Sequence, residues 1–198
     1  MKKTFLTCFL VITANALYSQ EFKISVTPTI SNIHFYHYVP GLSYGQPRFG
    51  INTNLDYLFV TNKRVEFGIG LGYQNSHVQI IVPYPGRPDY SLSTEKADLV
   101  SINLRSVLNL SKNFYLTFVP SLDLQIKHSS LQRLSNQSGL GLSVGLGNYV
   151  KLSESLALNI EPRLWVHNVI PFSSDNHPFK LTTAAINLGL VFGHKRDL

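Results

Sequence analysis

The sequence is short of cysteine, of charge and of long apolar runs, and each shortage excludes something. Charged residues make up 14% of its 198 positions, against about 25% in an ordinary soluble domain. A hydrophobic content of 44% is unexceptional, so the chain is under-charged without being greasy. Beyond the N-terminal segment no stretch reaches the roughly 18 consecutive apolar residues that a membrane helix needs, which excludes a helical membrane protein. The one cysteine, Cys8, falls inside a segment with the marks of an export signal. Lys2 and Lys3 form its basic start, and Phe5 to Ile12 form an apolar core too short to span a bilayer. Ala14-Asn15-Ala16 fits a small-x-small cleavage pattern, and Ser19 before Gln20 offers a second site. Residues 1–19 are therefore expected to be a signal peptide and residues 20–198 one domain. Without that segment there is no thiol for a disulfide or a cysteine-bound metal. Removing Lys2 and Lys3 from the 17 basic residues leaves 15 against 11 acidic ones, too mild and scattered a balance for a nucleic-acid partner.

What the chain does have is alternation. Between Phe49 and Tyr73 the odd positions are apolar or aromatic (Phe49, Ile51, Leu55, Tyr57, Phe59, Val65, Phe67, Ile69, Leu71, Tyr73). The even ones are polar or glycine, and Thr61-Asn62-Lys63-Arg64 interrupts them. Period-2 alternation across a short polar break predicts a β-hairpin, with arms near the ten residues of a tilted membrane-crossing strand. Six more such strands follow the same rule. Their apolar faces carry Phe22, Ile24, Val26 and Ile30; Val100, Ile102, Leu104, Leu108 and Leu110; Phe114, Leu116, Phe118, Leu122, Leu124 and Ile126. The last three carry Leu140 to Val150, Leu156 to Val166 and Ala184 to Phe192. Connections alternate long and short, the pattern of an eight-stranded antiparallel up-and-down transmembrane β-barrel with short periplasmic turns and four long outer loops.

Turns at Thr61–Lys63 and Ser111–Asn113 set the expected register. They place Gly68, Gly70 and Gly72 opposite Asp56, Asn54 and Asn52; likewise Gly141 faces Trp165 and Gly145 faces Glu161. Small against large suits a narrow, filled interior, so the glycine and polar face is expected inside and the apolar face toward lipid. Aromatics at strand ends (Phe22, Phe59, Phe114 and Phe192 on the turn side, Tyr73 on the loop side) match interfacial girdles. Pro28, Pro120 and Pro162 recur at equivalent depth, each requiring a bulge or a gap in the ladder. The competing architecture is a lipocalin-like soluble barrel with its apolar face inward, but its outer face would then be poorly charged.

With these features the chain resembles the small outer-membrane β-barrel proteins of Gram-negative bacteria, particularly the type common in Bacteroidetes. The resemblance rests on the signal peptide, the eight strands, the LGLGY, LSVGLG and EPRL segments and a last strand ending LGLVF. Residues 193–198 continue past Phe192, the aromatic at which such barrels usually end. The resemblance implies a place in outer-membrane lipid.

The expected lumen holds Asp56, Glu66, Arg105, Asp123, Lys127, Glu161 and Arg163 as a paired polar network, since buried charge must be paired or solvated. The other reading of these groups is an ion path, which eight strands leave little room for. His34, His37, His77, His128, His167 and His177 fall at the outer end, without the spacing or carboxylates of a metal site, so neither metal nor cofactor is expected. His128 with Ser129 and Ser130 suggests half of a nucleophile–base pair, as in a lipid-modifying barrel enzyme, but no acid is placed to orient the histidine. The chain thus reads as a non-enzymatic, monomeric barrel whose outer loops meet an extracellular ligand or protein through Tyr36, Tyr38, Tyr44, Tyr84 and Tyr90. Porin-like transport of small or hydrophobic solutes is the alternative.

Overall fold

The computed structural model describes residues 20–35, 44–60, 64–83, 90–127, 134–172 and 179–193. Eight strands in chain order close one antiparallel barrel: β1 (Gln20–Phe35), β2 (Tyr44–Val60), β3 (Val65–Pro83), β4 (Tyr90–Asn109), β5 (Phe114–Lys127), β6 (Gly139–Lys151), β7 (Leu156–Pro171) and β8 (Phe179–Phe192). Each strand pairs with its sequence neighbours, and β8 closes on β1. The alternation decides which face looks out. Ile69 is 48% exposed, Leu71 57% and Phe49 77%, whereas Leu58, Glu161 and Lys23 between the outward positions are 0% exposed. A wall of exposed aliphatic and aromatic side chains around a buried polar interior inverts a soluble barrel. Phe22, Phe114 and Phe192 at the turn end and Tyr73 at the other lie on the same outer surface.

The strands run further than the alternation shows. β3 and β4 reach 19 and 20 residues, with the HVQIIV and YSLST segments continuing them as a hairpin and residues 84–89 between them. The outward apolar side chains stop at Tyr73 and Val100, and Asn75, His77, Lys96 and Thr94 follow on the same face. The ladder continues because backbone pairing does not require lipid, whereas the outward apolar pattern does.

The hairpin registers need correction. Asp56 faces Gly70, Asn54 faces Gly72 and Leu58 faces Gly68, each two residues from the expected partner. In β6 and β7, Gly145 faces Arg163 and Ser143 faces Trp165, again a slip of two. The first turn centres one residue later than Thr61–Lys63, because the last pair is Val60 with Glu66. A slip of two preserves parity, so every side chain keeps its face. Small still meets large: a Cβ on Gly145 would sit 2.6 Å from Oε1 of its diagonal neighbour Glu161, and one on Gly70 would collide with Oδ1 of Asp56 directly opposite.

The three prolines make gaps rather than bulges. Pairing of β1 with β8 skips Thr27 and Pro28 and resumes in the same register. Pairing of β4 with β5 skips Val119 and Pro120, and β6 with β7 skips Glu161 and Pro162. Proline has no N–H to donate, and its ring points outward, so the lipid face accepts it. The register shifts lie elsewhere, at Pro47/Ile51, Asp98/Leu99 and Leu140/Leu142.

An outward charge at mid-depth tests this sidedness. Ile69→Arg is expected to lower the unfolding free energy in lipid vesicles by about 2–4 kcal/mol, and Phe114→Arg at the turn-side rim by about 0–1 kcal/mol. Equal costs at the two positions would argue against a lipid-facing wall.

Candidate functional site

The interior is layered along the barrel axis. At the turn end Leu58, Val107, Tyr115, Tyr149, Ala157 and Val191 form one buried apolar cluster. At the outer end Ile33, Val78, Ile80, Ala97, Leu99, Leu134 and Leu181 form another. Each of these strand residues is an apolar side chain on the inward face, where polar residues dominate. Polar groups fill the space between the two clusters.

Glu161 of β7 is the centre of that space. Its Oε2 accepts hydrogen bonds from Lys23 Nζ at 3.2 Å, Arg105 Nη2 at 2.7 Å and Tyr115 OH at 3.0 Å. Its Oε1 accepts from Thr117 Oγ1 at 2.7 Å and from Arg163 Nε and Nη2 at 2.8 and 2.5 Å. Asp56 joins through Arg105 Nη1 at 3.5 Å, and the Arg163 guanidinium lies 4.9 Å from the centroid of the Trp165 ring. Charge-assisted bonds of this kind are roughly twice as strong as neutral ones. A second web lies above it. Ser31 Oγ contacts Ser76 Oγ at 3.0 Å and Thr183 Oγ1 at 2.9 Å, and Gln74 Nε2 donates to both partners. Asn52, Asn54 and Asn103 extend the web across β2 and β4.

Of the sequence-selected lumen residues, the structure brings Asp56, Arg105, Glu161 and Arg163 together. Glu66 stands apart, accepting from Asn109 Nδ2 at 2.7 Å near the turns. Asp123 is also apart, paired at 2.8 Å with His167 Nδ1. The side chain of Lys127 lies outside the described residues. Lys23, Tyr115 and Thr117 were absent from the selection. All three sit at inward parity, so the signal that found the others was available for them too. His167 lies at inward parity near the outer end of β7 and is buried, and Asn168 beside it is buried as well, in a left-handed conformation with φ 55. This irregularity accompanies the Leu140/Leu142 shift and breaks the parity rule locally. His37, His128, His177, Ser129, Ser130, Tyr36, Tyr38 and Tyr84 lie outside the described residues, as do the side chains of His34, Tyr44 and Tyr90. Among the described residues no group of three histidine, cysteine, aspartate or glutamate side chains is placed to hold a metal ion.

The chemistry of this interior is cohesive, since its charged groups face one another across the barrel with no solvent access. Removing one partner of such a cluster leaves the others buried and unpaired. Glu161→Gln is therefore expected to destabilise the barrel by about 3–5 kcal/mol in urea unfolding from vesicles. Glu154→Gln, an exposed change on the β6–β7 turn, is expected to shift it by less than about 0.5 kcal/mol.

No protein-family model matches the chain, and no curated protein matches it in sequence. Solved structures do. Neisserial surface protein A (NspA) superposes with a TM-score of 0.53 at 12% identity, over 87% of this chain and 97% of its own. Ail, the attachment invasion locus protein of Yersinia pestis, solved with the heparin analogue sucrose octasulfate, gives 0.51 at 15% identity over 88% and 99%. The outer membrane protein OprG of Pseudomonas aeruginosa gives 0.51 at 14% identity over 89% and 98%. The chain has the fold of the small eight-stranded outer-membrane β-barrels.

Proposed function

We propose that this chain is an integral outer-membrane barrel of a Gram-negative bacterium that acts through its outer end as a surface-interaction protein. The observation that supports this most is the filled interior. Two apolar clusters flank a bonded polar centre, so little is left for the barrel to offer a partner except the part that stands out of the lipid. That part is polar on its outside: β3 and β4 continue past the membrane rim with His77, Thr94 and Lys96 on their outer surface. Residues 1–19 serve as the export signal and residues 20–198 as the barrel domain. The LGLGY, LSVGLG, EPRL and LGLVF segments support the type common in Bacteroidetes. The protein works as a monomer in outer-membrane lipid, without enzyme activity, cofactor or nucleic acid. Its partners are an extracellular protein or polyanion, the second suggested by the heparin analogue bound to Ail.

Transport of hydrophobic solutes is a second reading, and one observation favours it. A notch of about 430 Å³ opens on the lipid face beside Pro162, lined by Leu116, Val144, Leu146, Leu164 and Ala184, where the β6–β7 ladder is interrupted. It would serve solutes leaving toward lipid, not ions crossing the barrel.

Two measurements separate these readings. In planar bilayers the wild-type protein is expected to show no channel events, and ohmic single-channel steps would refute the filled interior as a barrier. Cells displaying the protein are expected to adhere to heparin-coated or matrix-protein-coated surfaces. Replacing residues 36–43 and 84–89 with short glycine–serine turns should reduce that adhesion severalfold. Adhesion no greater than that of cells without the protein would refute the surface role.

A further inference from the structure

The outward face of β8 is uneven. Leu190, Leu188 and Ile186 stand on it, followed toward the outer end by Ala184, Thr182 and Lys180. Ala184 is the smallest of these side chains, and it sits in register between Ile30 of β1 and Leu164 of β7. Two hollows in the wall meet there. One, of about 430 Å³, runs past Leu164 and Pro162 to Leu146 and Leu116. The other, of about 360 Å³, lies between Ile186, Pro28, Ile30 and Phe49 and widens the groove at that level. Each opens where a proline interrupts a ladder, Pro162 between β6 and β7 and Pro28 between β8 and β1. The head of the groove is polar. β7 and β8 pair no further than Val166↔Thr182, and the left-handed Asn168 follows on β7. Lys180 Nζ reaches across the parted strands and donates to Val169 O at 3.2 Å.

We propose that this groove is a selective site for one outer-leaflet lipid with an anionic headgroup, its phosphate at Lys180 and one acyl chain laid past Ala184 and Leu164 toward Leu116. Depth and charge both point to that occupant. A tilted strand descends about 2.5 Å per residue along the membrane normal. From Thr182, where the outward face of β8 turns polar, the groove therefore reaches about 10–15 Å down. That is near half of a hydrocarbon core about 30 Å thick, one leaflet and the depth of one acyl chain. An unfilled notch forfeits dispersion contacts with its lining, and a flexible chain recovers them along its whole length. A lysine at the membrane surface attracts an anionic headgroup. Lys180 is already tied to the Val169 carbonyl, so little side-chain freedom is lost when the headgroup arrives. β3 and β4 supply the contrast, a cation without the notch: Lys96 stands beyond their rim, and full-sized Leu71 and Ile102 fill the wall beneath it.

This inference rests on the lipid-facing wall and not on the surface role, and it is tested on the full barrel in phosphatidylcholine nanodiscs. The probe is a trace of phosphatidylglycerol carrying a spin label midway along one acyl chain, read by NMR of side-chain methyl groups. The label is expected to broaden Ala184 and Leu164 severalfold more than Leu71 and Ile102, which lie one outward position inside the rim as Leu164 does. Phosphatidylcholine with the same label should be about fivefold less effective at the groove. Lys180→Gln should remove that headgroup preference. Ala184→Phe, an apolar exchange on the lipid face, should bring Leu164 down to the level of Leu71 and leave Leu71 and Ile102 unchanged. Equal broadening of all four methyl sites in the wild-type protein, the mark of ordinary boundary lipid, overturns the proposal. So does a groove indifferent to headgroup charge. Broadening of none of the four overturns the lipid-facing wall and the proposal with it.

Discussion

Six hydrogen bonds from five side chains converge on the two carboxylate oxygens of Glu161. The donors come from β1, β4, β5 and β7, so one carboxylate ties together strands on different sides of the barrel. An eight-stranded barrel is just wide enough for its own side chains, which is why so many donors reach one point. The same narrowness explains the glycines: where Glu161 and Asp56 swing inward, Gly145 and Gly70 leave them room. It also compensates for two of the proline gaps. The β4–β5 and β6–β7 ladders are interrupted beside Arg105 and Glu161, and at that level the ion cluster joins the strands across the lumen.

The outside of the barrel follows a different constraint. In lipid every backbone group must find its partner within the protein, and a closed barrel satisfies this with no edge. The constraint ends at the membrane rim, marked by Tyr73 donating to Asp98 at 3.2 Å and by Asn75 donating to the same carboxylate. Beyond it the β3–β4 ladder continues to Pro83 and Tyr90 with polar side chains on its outer face.

The fold was legible because lipid and lumen impose opposite demands on adjacent residues, so a strand such as β3 writes its sidedness in every pair of letters. Register was less legible. A slip of two costs the pattern nothing, and only the turn beyond Val60 distinguishes Gly70 from Gly68 as the partner of Asp56. Inward parity picked out Arg105, Glu161 and Arg163. It could not say that Glu161 is shared while Glu66 and Asp123 stand apart, because most of those contacts join distant parts of the chain, up to 138 positions apart for Lys23 and Glu161. The bulge that turns both His167 and Asn168 inward breaks the periodicity itself. Ile33, Val78, Ile80 and Leu99 are the clearest missed signal: apolar residues at inward parity announce the outer cluster that fills the mouth.

The central claim is a lipid-facing apolar wall around an interior closed to water. NMR of the wild-type protein in nanodiscs, with one relaxation agent dissolved in lipid and another in water, tests it directly. The lipid agent should broaden the side chains of Phe67, Ile69 and Leu71, and the water agent should leave Lys23, Arg105 and Glu161 sharp. Broadening of those three by the water agent, at a level matching exposed Lys112, would contradict it.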